Sequence, residues 1–175
     1  IIGGAAKNYH DLGWGRYIDK EELMDILTLA EKEGLVVQPS NSQQPFCICL
    51  CCGCCCEVLT SAKVLDNPVQ YFSSNYIAVV DEEACIGCGI CKNRCQMDAI
   101  TIENKKSHVD LTRCIGCGLC TTTCTPQAIK LQKKEYVVEP PVNATELYMN
   151  MLRSRVGNAK MMLMLIRRLL GKKVL

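Results

Sequence analysis

Fifteen cysteines dominate the chemistry that this 175-residue chain could perform. Eight of them fall into two copies of the spacing C-x2-C-x2-C-x3-C, and seven more crowd into the stretch CICLCCGCCC from Cys47 to Cys56. Cysteine thiolates are soft ligands that suit iron-sulfur centres or zinc. Their odd number and dense local grouping favour metal ligation in a reducing compartment over a secreted disulfide framework.

The two spaced motifs belong to an internal repeat with an offset of 29 residues. CIGCGICKNRCQMDAI carries Cys85, Cys88, Cys91 and Cys95, and CIGCGLCTTTCTPQAI carries Cys114, Cys117, Cys120 and Cys124. The intervening AITIENKKSHVD predicts a short hairpin with Asn104 and Lys105 near its turn. Each half is therefore predicted to be a small strand, a cysteine loop, a short helix and a return strand.

This repeat resembles the bacterial two-cluster ferredoxins over residues 76–132. The resemblance implies an α+β, ferredoxin-like domain with pseudo-twofold symmetry and two [4Fe-4S] clusters, in which the fourth cysteine of each motif serves the other cluster. It assigns one cluster to Cys85, Cys88, Cys91 and Cys124, and the second to Cys114, Cys117, Cys120 and Cys95. The alternative is a pair of zinc sites, which would need neither the third loop cysteine nor the repeated crossing pattern.

The residues beside the cysteines also bear on this resemblance. A backbone that wraps a cluster needs positive φ and exposed N–H groups, which explains the glycines at Gly87, Gly89, Gly116 and Gly118. The family usually has proline after the fourth cysteine, whereas Gln96 follows Cys95 and Thr125 follows Cys124. We expect the missing proline to perturb the turn locally without abolishing ligation.

The dense segment contains more thiols than the four that one cube takes. We favour a third iron-sulfur cluster held by four or so of them, with Gly53 as the easiest place for a sharp turn. A zinc site and a thiol-rich loop that forms disulfides in air are the alternatives. The candidate metal ligands are Cys47, Cys49, Cys51, Cys52, Cys54, Cys55 and Cys56.

A wider resemblance covers most of the chain. The order GWGRYIDKEELMDILTLAEKEGLVVQPSNS, CLCCGCCC, SSNY and a ferredoxin pair is similar to larger 4Fe-4S dicluster-domain proteins of anaerobic bacteria and archaea. In that family the second element reads C-N-C-C-G-C-C-C, so Leu50 replaces the Asn and Cys47 is additional. The family commonly has a further cysteine cluster upstream. Because the chain starts at Ile1 without an initiator Met, we expect it to be a fragment of a longer protein.

Four segments must position these cysteines. Residues 1–45 are predicted to be a helical lead-in, with Asp19 capping a helix that places Leu23, Ile26, Leu27 and Ala30 on one face. Gly34 ends this helix, and LVV follows as a short strand. Residues 46–75 form the cysteine-rich segment, 76–138 the two-cluster domain and 139–175 a basic helical tail.

The tail is electrically distinct from the rest of the chain. All 18 acidic residues lie at or before Glu146, whereas seven of the 20 basic residues follow it. One long amphipathic helix, or two separated near Gly157, are predicted. Packing on the chain's own ferredoxin domain or on a second copy is favoured, and a different protein, such as an oxidoreductase complex, or a membrane surface are the alternatives. Nucleic acid is not expected, because the tail has a single aromatic residue, Tyr148, and no recognised motif.

Together these features predict a cytoplasmic iron-sulfur protein of an anaerobe that relays single electrons between redox partner proteins at low potential. We find no nucleophile with a neighbouring base, and His10 and His108 are isolated, so catalytic chemistry of its own is not expected. Two alternatives stay open: an electron-feeding subunit of a larger anaerobic oxidoreductase, and an oxygen or redox sensor.

Overall fold

The computed structural model describes residues 1–170, so Lys172 and Lys173 of the predicted tail lie outside the described residues. The helices are α1 Gly4–Asp11, α2 Lys20–Lys32, α3 Glu57–Lys63, α4 Ile90–Arg94, α5 Ala144–Val156 and α6 Asn158–Leu169. The strands are β1 Val36–Pro39, β2 Ile48–Cys51, β3 Tyr76–Val80, β4 Ile100–Glu103, β5 Lys106–Val109 and β6 Ile129–Lys133. A 3-10 turn spans Pro68–Tyr71.

Helix α2 forms as the sequence predicts. The Asp19 carboxylate accepts a hydrogen bond of 2.8 Å from the backbone N–H of Glu22, which satisfies one of the free donors at the helix start. The predicted apolar face is turned inward, and Ala30 is buried. After Gly34, with a φ of 80°, the chain enters β1, which pairs antiparallel with β2 of the cysteine-rich segment.

The repeat folds into two antiparallel strand pairs. The outer strands β3 and β6 pair with each other, with Tyr76 opposite Lys133. The inner strands β4 and β5 form the predicted hairpin, whose turn residues Asn104 and Lys105 have φ values of 49° and 60°. Because the first strand of the repeat pairs with the last, the two cysteine loops are held against the same small body.

The predicted short helix is present only in the first half of the repeat. Helix α4 follows the first three cysteines, but residues 119–123 form turns. β-Branched threonines fill this second position, and their hydroxyls bond to nearby carbonyls instead. The Thr121 hydroxyl donates to the Gly118 carbonyl at 2.8 Å, and the Thr122 hydroxyl to the Leu119 carbonyl at 3.3 Å.

One hydrophobic core runs from the lead-in through the repeat. Leu59 of α3 is 0% exposed, Met97 is 1% exposed and Val36 of β1 is 2% exposed, and all three belong to the same packed cluster. This core crosses the expected boundaries at residues 45 and 75. The division into segments therefore stays a prediction, while the packing unites them.

Two arginines of the repeat fasten the preceding helices. The Arg94 guanidinium donates to the carbonyls of Glu31 at 2.6 Å and Lys32 at 2.8 Å, where α2 ends. The Arg113 guanidinium donates to the carbonyl of Lys63 at 3.0 Å, where α3 ends. The last carbonyls of a helix lack intrahelical partners and carry partial negative charge, so guanidinium donors stabilise both ends.

The tail forms the two helices that the sequence allows, separated at Gly157 with a φ of 76°. The favoured packing over the chain's own ferredoxin domain is not what the structure has, since α5 and α6 contact each other and α5 buries no side chain. Its apolar residues are spread among charged ones, and this weak segregation leaves no face to dock. Among the described helices, none has the length and apolar character required to cross a membrane.

The shared core predicts unequal effects for two neighbouring residues of α3. Leu59→Ala should lower the free energy of unfolding by about 2–5 kcal/mol, because it leaves a cavity in the core. Val58→Ala is the matched control: Val58 is 58% exposed, and its truncation should cost about 0.5 kcal/mol or less. Urea unfolding of the anaerobically purified protein measures both, and equal losses would contradict the packing of α3.

Candidate iron-sulfur sites

Two cavities within the repeat are lined by cysteines. The first lies between the first cysteine loop and the end of the second motif, and it is lined by Cys85, Cys88, Cys91 and Cys124. The second lies between the second cysteine loop and the start of β4, and it is lined by Cys95, Cys114, Cys117 and Cys120. Each cavity thus gathers three cysteines of one motif and the fourth of the other.

The cavities have similar size and lining. They enclose about 330 and 360 Å³ of unfilled space, so one kind of group would suit both. Apart from the cysteines, the walls are mostly aliphatic, with Ile86 and Ile129 at the first cavity and Ile100 and Ile115 at the second. A thiol-lined, apolar hollow fits an iron-sulfur cluster, which is held by thiolates and shielded from water by its surroundings.

Each cysteine loop is entered through an aspartate at equivalent places in the repeat. The backbone N–H of Cys85 donates to the carbonyl of Asp81 at 3.0 Å, and that of Cys114 to the carbonyl of Asp110 at 2.9 Å. The Asp110 carboxylate also accepts from the Thr112 hydroxyl at 2.6 Å, which lowers the pKa of Asp110. These turns fix the first cysteine of each loop relative to the strand before it.

Two of the four motif glycines permit a close approach of backbone to backbone. At Gly87, with a φ of 68°, an added Cβ would lie 2.2 Å from the Lys105 carbonyl oxygen. At Gly116, with a φ of 65°, it would lie 2.1 Å from the Tyr76 carbonyl oxygen. No real Cβ contact is that short, so each loop can wrap its cavity only with glycine at these positions.

One hydroxyl distinguishes the two cavities. Ser107 is 4% exposed, and its oxygen lies 3.2 Å from the Cys91 sulfur and 3.6 Å from the Cys85 sulfur. The equivalent residue of the first half is Ala78, whose backbone N–H lies 3.4 Å from the Cys114 sulfur. Sequence analysis missed Ser107, although aligning the two halves at the 29-residue offset would have paired it with Ala78.

Burial affects the acidity of the cavity thiols. It raises the pKa of Cys120 to about 12, and it raises the pKa of Cys95 as well. Without a bound group these thiols carry their protons at neutral pH. Because the ligand is the thiolate, cluster binding must release those protons.

The structure sorts the dense cysteine segment into distinct places. Cys47, Cys49 and Cys51 alternate along or beside β2, and so share one face of the strand. Cys56 is the N-cap residue of α3. The remaining three cysteines, here called the thiol triad, come together at the predicted turn. They are Cys52, Cys54 and Cys55.

Within the thiol triad, the Cys52 sulfur lies 2.6 Å from the Cys54 sulfur and 3.0 Å from the Cys55 sulfur. Hydrogen bonds from the thiols of Cys54 and then Cys55 lower the pKa of Cys52 to about 6, while donation to its neighbours raises the pKa of Cys55 to about 11. One thiolate among three thiols is thus favoured near neutral pH. Such a group is ready to bind a soft cation.

Gln96 ties the thiol triad to the second cavity. Its side-chain oxygen accepts a hydrogen bond of 2.6 Å from the N–H of Gly53, and its side-chain nitrogen donates to the Gly34 carbonyl at 2.8 Å. Gln96 is the residue that stands in place of the family's usual proline, directly after Cys95. The substitution therefore supplies a contact that sequence analysis missed.

The turns after the fourth cysteines stay alike in the two halves. Asp98 and Gln127, which occupy equivalent positions 29 residues apart, have φ values of 53° and 54°. Neither turn has proline directly after the cysteine. The backbone path is therefore held by the rest of the repeat and not by a proline ring.

Comparison with known proteins identifies the class of this region. Residues 78–131 match the family model described as a 4Fe-4S dicluster domain. The region is a dicluster domain of mixed helix and strand, as expected for an α+β, ferredoxin-like unit.

The curated relatives are similar over short stretches. The chain is 37% identical over 59 residues to translation initiation factor RLI1 of Chaetomium thermophilum and to protein Pixie of Drosophila melanogaster, covering 34% of this chain and 9% of each relative. It is 56% identical over 32 residues to a subunit of the ion-translocating oxidoreductase complex of Magnetococcus marinus, covering 18% of each protein. The matched part is thus less than a fifth of each relative.

The glycine geometry predicts different outcomes for two neighbouring substitutions. Gly87→Ala should prevent the loop from closing on Lys105 and reduce cluster content. Gly89→Ala is the control, because Gly89 also has a positive φ, of 79°, but has no atom within 4 Å of an added Cβ. It should cost about 1–2 kcal/mol of backbone strain and keep the clusters. Visible absorbance per chain after anaerobic purification measures cluster content, and equal loss in both variants would refute the close-approach argument.

Proposed function

We propose that the two cavities hold [4Fe-4S] clusters and that the chain relays single electrons through them. One observation carries the proposal: each cavity gathers four cysteines, three from one motif and one from the other. The dicluster-domain match over residues 78–131 and the similarity to a subunit of an ion-translocating oxidoreductase complex support it. The ligand set proposed for the first cluster is Cys85, Cys88, Cys91 and Cys124, and that for the second is Cys95, Cys114, Cys117 and Cys120.

A pseudo-twofold relation between the halves is part of this proposal. The contacts that shape one cavity recur 29 residues later at the other, as with Gly87 on Lys105 and Gly116 on Tyr76. Only the short helix α4 separates Cys91 of the first cavity from Cys95 of the second. Two clusters attached to the ends of one five-residue helix would sit close together in a rigid unit, which favours electron exchange between them.

The bound clusters would supply the redox chemistry, each gaining or losing one electron. The chain's own contribution is to hold them, exclude water and set their potentials through burial and hydrogen bonds to sulfur. Met97 and Leu119, which are 1% and 4% exposed, close the second cavity. The buried hydroxyl of Ser107 donates toward the thiolates of the first.

The dense segment is proposed to hold a third centre, with the thiol triad as its core. Gln96 places this centre beside the second cavity, because it bonds to Gly53 of the triad and directly follows Cys95. The relay would then have its third site on the side of the second cluster. Cys47 and Cys49, which lie along or beside β2, are the candidates that the structure leaves apart from the triad.

A second candidate function is the electron-feeding subunit of a larger oxidoreductase. It is favoured by the 56% identity over 32 residues to a component of the ion-translocating oxidoreductase complex. It is also favoured by α5 and α6, in which Tyr148, Met162 and Leu163 are more than half exposed. We propose redox proteins as partners in either case. A cytoplasmic location, an anaerobic host and an oxygen-sensing role stay predictions.

The test of the relay is an anaerobic sulfide count with a reductive titration. Two cubes require about eight inorganic sulfides per chain, and each should accept one electron reversibly, with paramagnetic signals that interact because the clusters are close. Cys124→Ala should disturb the first cluster, whereas Cys49→Ala, outside both cavities, should change neither. Material with acid-labile sulfide absent, or with redox-inactive metal in the cavities, would contradict the relay.

Ser107 predicts a difference between the two potentials. Ser107→Ala should lower the potential of the first cluster, because a hydroxyl donor stabilises the more negative, reduced state. The shift should be roughly tens of millivolts, given about 1 kcal/mol for a hydrogen bond and about 59 mV per tenfold change for one electron. Ala78→Ser is the reciprocal control and should raise the second potential. Redox titration followed by EPR measures both, and an unchanged first potential in Ser107→Ala would refute the assignment.

A further inference from the structure

The thiol triad is packed more tightly than the cysteines of either cavity. The sulfurs of Cys52, Cys54 and Cys55 all lie within 4.8 Å of one another. Within residues 1–170 no other group of three cysteines, histidines or carboxylates is so close, and this includes the eight cysteines of the two cavities. The same fold therefore keeps two different spacings, one wide and one narrow.

These spacings correspond to different metal chemistry. A cube spreads its thiolates over four separate iron atoms, so its ligands stand apart. A single tetrahedral ion collects them on one atom, and with a metal–sulfur distance of about 2.3 Å its thiolates lie about 3.8 Å from one another. The triad, with sulfur separations of 2.6 and 3.0 Å from Cys52, would need to open by only about 1 Å to take such an ion.

We propose that Cys52, Cys54 and Cys55 bind a single thiophilic divalent cation, Zn²⁺ or Fe²⁺, in place of the third iron-sulfur cluster that the sequence favours. The proposal gives the third centre proposed above a definite type and ligand set. Three thiolates leave the fourth tetrahedral position for a water molecule or an external donor such as a small thiol. Cys54 and Cys55 are exposed, so this fourth position faces solvent.

The turn that carries the triad is fixed by its neighbours. An added Cβ at Gly53 would lie 2.4 Å from the Gln96 carbonyl oxygen, so the turn is pressed against the backbone beside Cys95. The Lys63 ammonium would lie 2.9 Å from the same Cβ. Three thiolates around a divalent ion carry one net negative charge, and this lysine offers the opposite charge at close range. Second-shell contacts of this kind hold metal ligands in place.

The experiment is elemental analysis of the anaerobically purified chain for zinc, iron and inorganic sulfide, with X-ray absorption at the edge of the extra metal. We expect about eight sulfides and one further ion per chain, with three sulfurs near 2.3 Å and one lighter atom. Cys52→Ser and Cys54→Ser should lose the further ion and keep the sulfides. Cys47→Ser and Cys49→Ser, matched cysteines of the same segment, should keep both.

Two results would overturn the single-ion site. About twelve sulfides would mean a third cube, following the stoichiometry of four sulfides per cube. Eight sulfides without an extra ion would leave the relay intact and remove the site. Should a serine variant lose all its metal by misfolding, absorption of the unaltered protein still decides the matter. A bound single ion without labile sulfide would keep this site and refute the two-cluster relay instead.

Discussion

The structure depends on one constraint: each cysteine motif must reach two cavities at once. Cys124 completes the first cavity, and Cys95 completes the second. This is possible only if the two loops lie back to back, which the pairing of β3 with β6 enforces. The loops must also press on neighbouring backbone, where only glycine fits. A chain with few aromatic residues can then build a compact domain, because bound inorganic groups would occupy volume that side chains do not fill.

The segments before the repeat extend this unit on one side. Arg94, Gln96 and Arg113 reach back from the repeat to α2, to the thiol triad and to α3. All three stand near cysteines of the second cavity, so the lead-in covers that cavity more than the first. The two cavities, similar in their own residues, therefore lie in different surroundings. This asymmetry gives the relay a direction in space, with the triad at one end.

Much of the repeat was predictable from sequence because its cysteine spacing, glycines and 29-residue offset are local patterns. The hairpin turn at Asn104 and Lys105 and the Asp19 cap are local signals too. Helices α1 and α3 were not predicted, since α1 has no capping side chain and α3 is a short helix stabilised by burial of Leu59. The sorting of the seven dense cysteines depends on strand pairing and on Gln96, which are contacts between distant residues. The tail was predicted as helix, but its packing was not.

The most direct test of the account is the iron anomalous scattering from crystals of the protein grown without oxygen. The account predicts two compact iron cubes, one bound by Cys85, Cys88, Cys91 and Cys124 and the other by Cys95, Cys114, Cys117 and Cys120. Single ions in the cavities would contradict it. So would cubes that each take all four ligands from one motif, because the exchange of the fourth cysteine would then be absent.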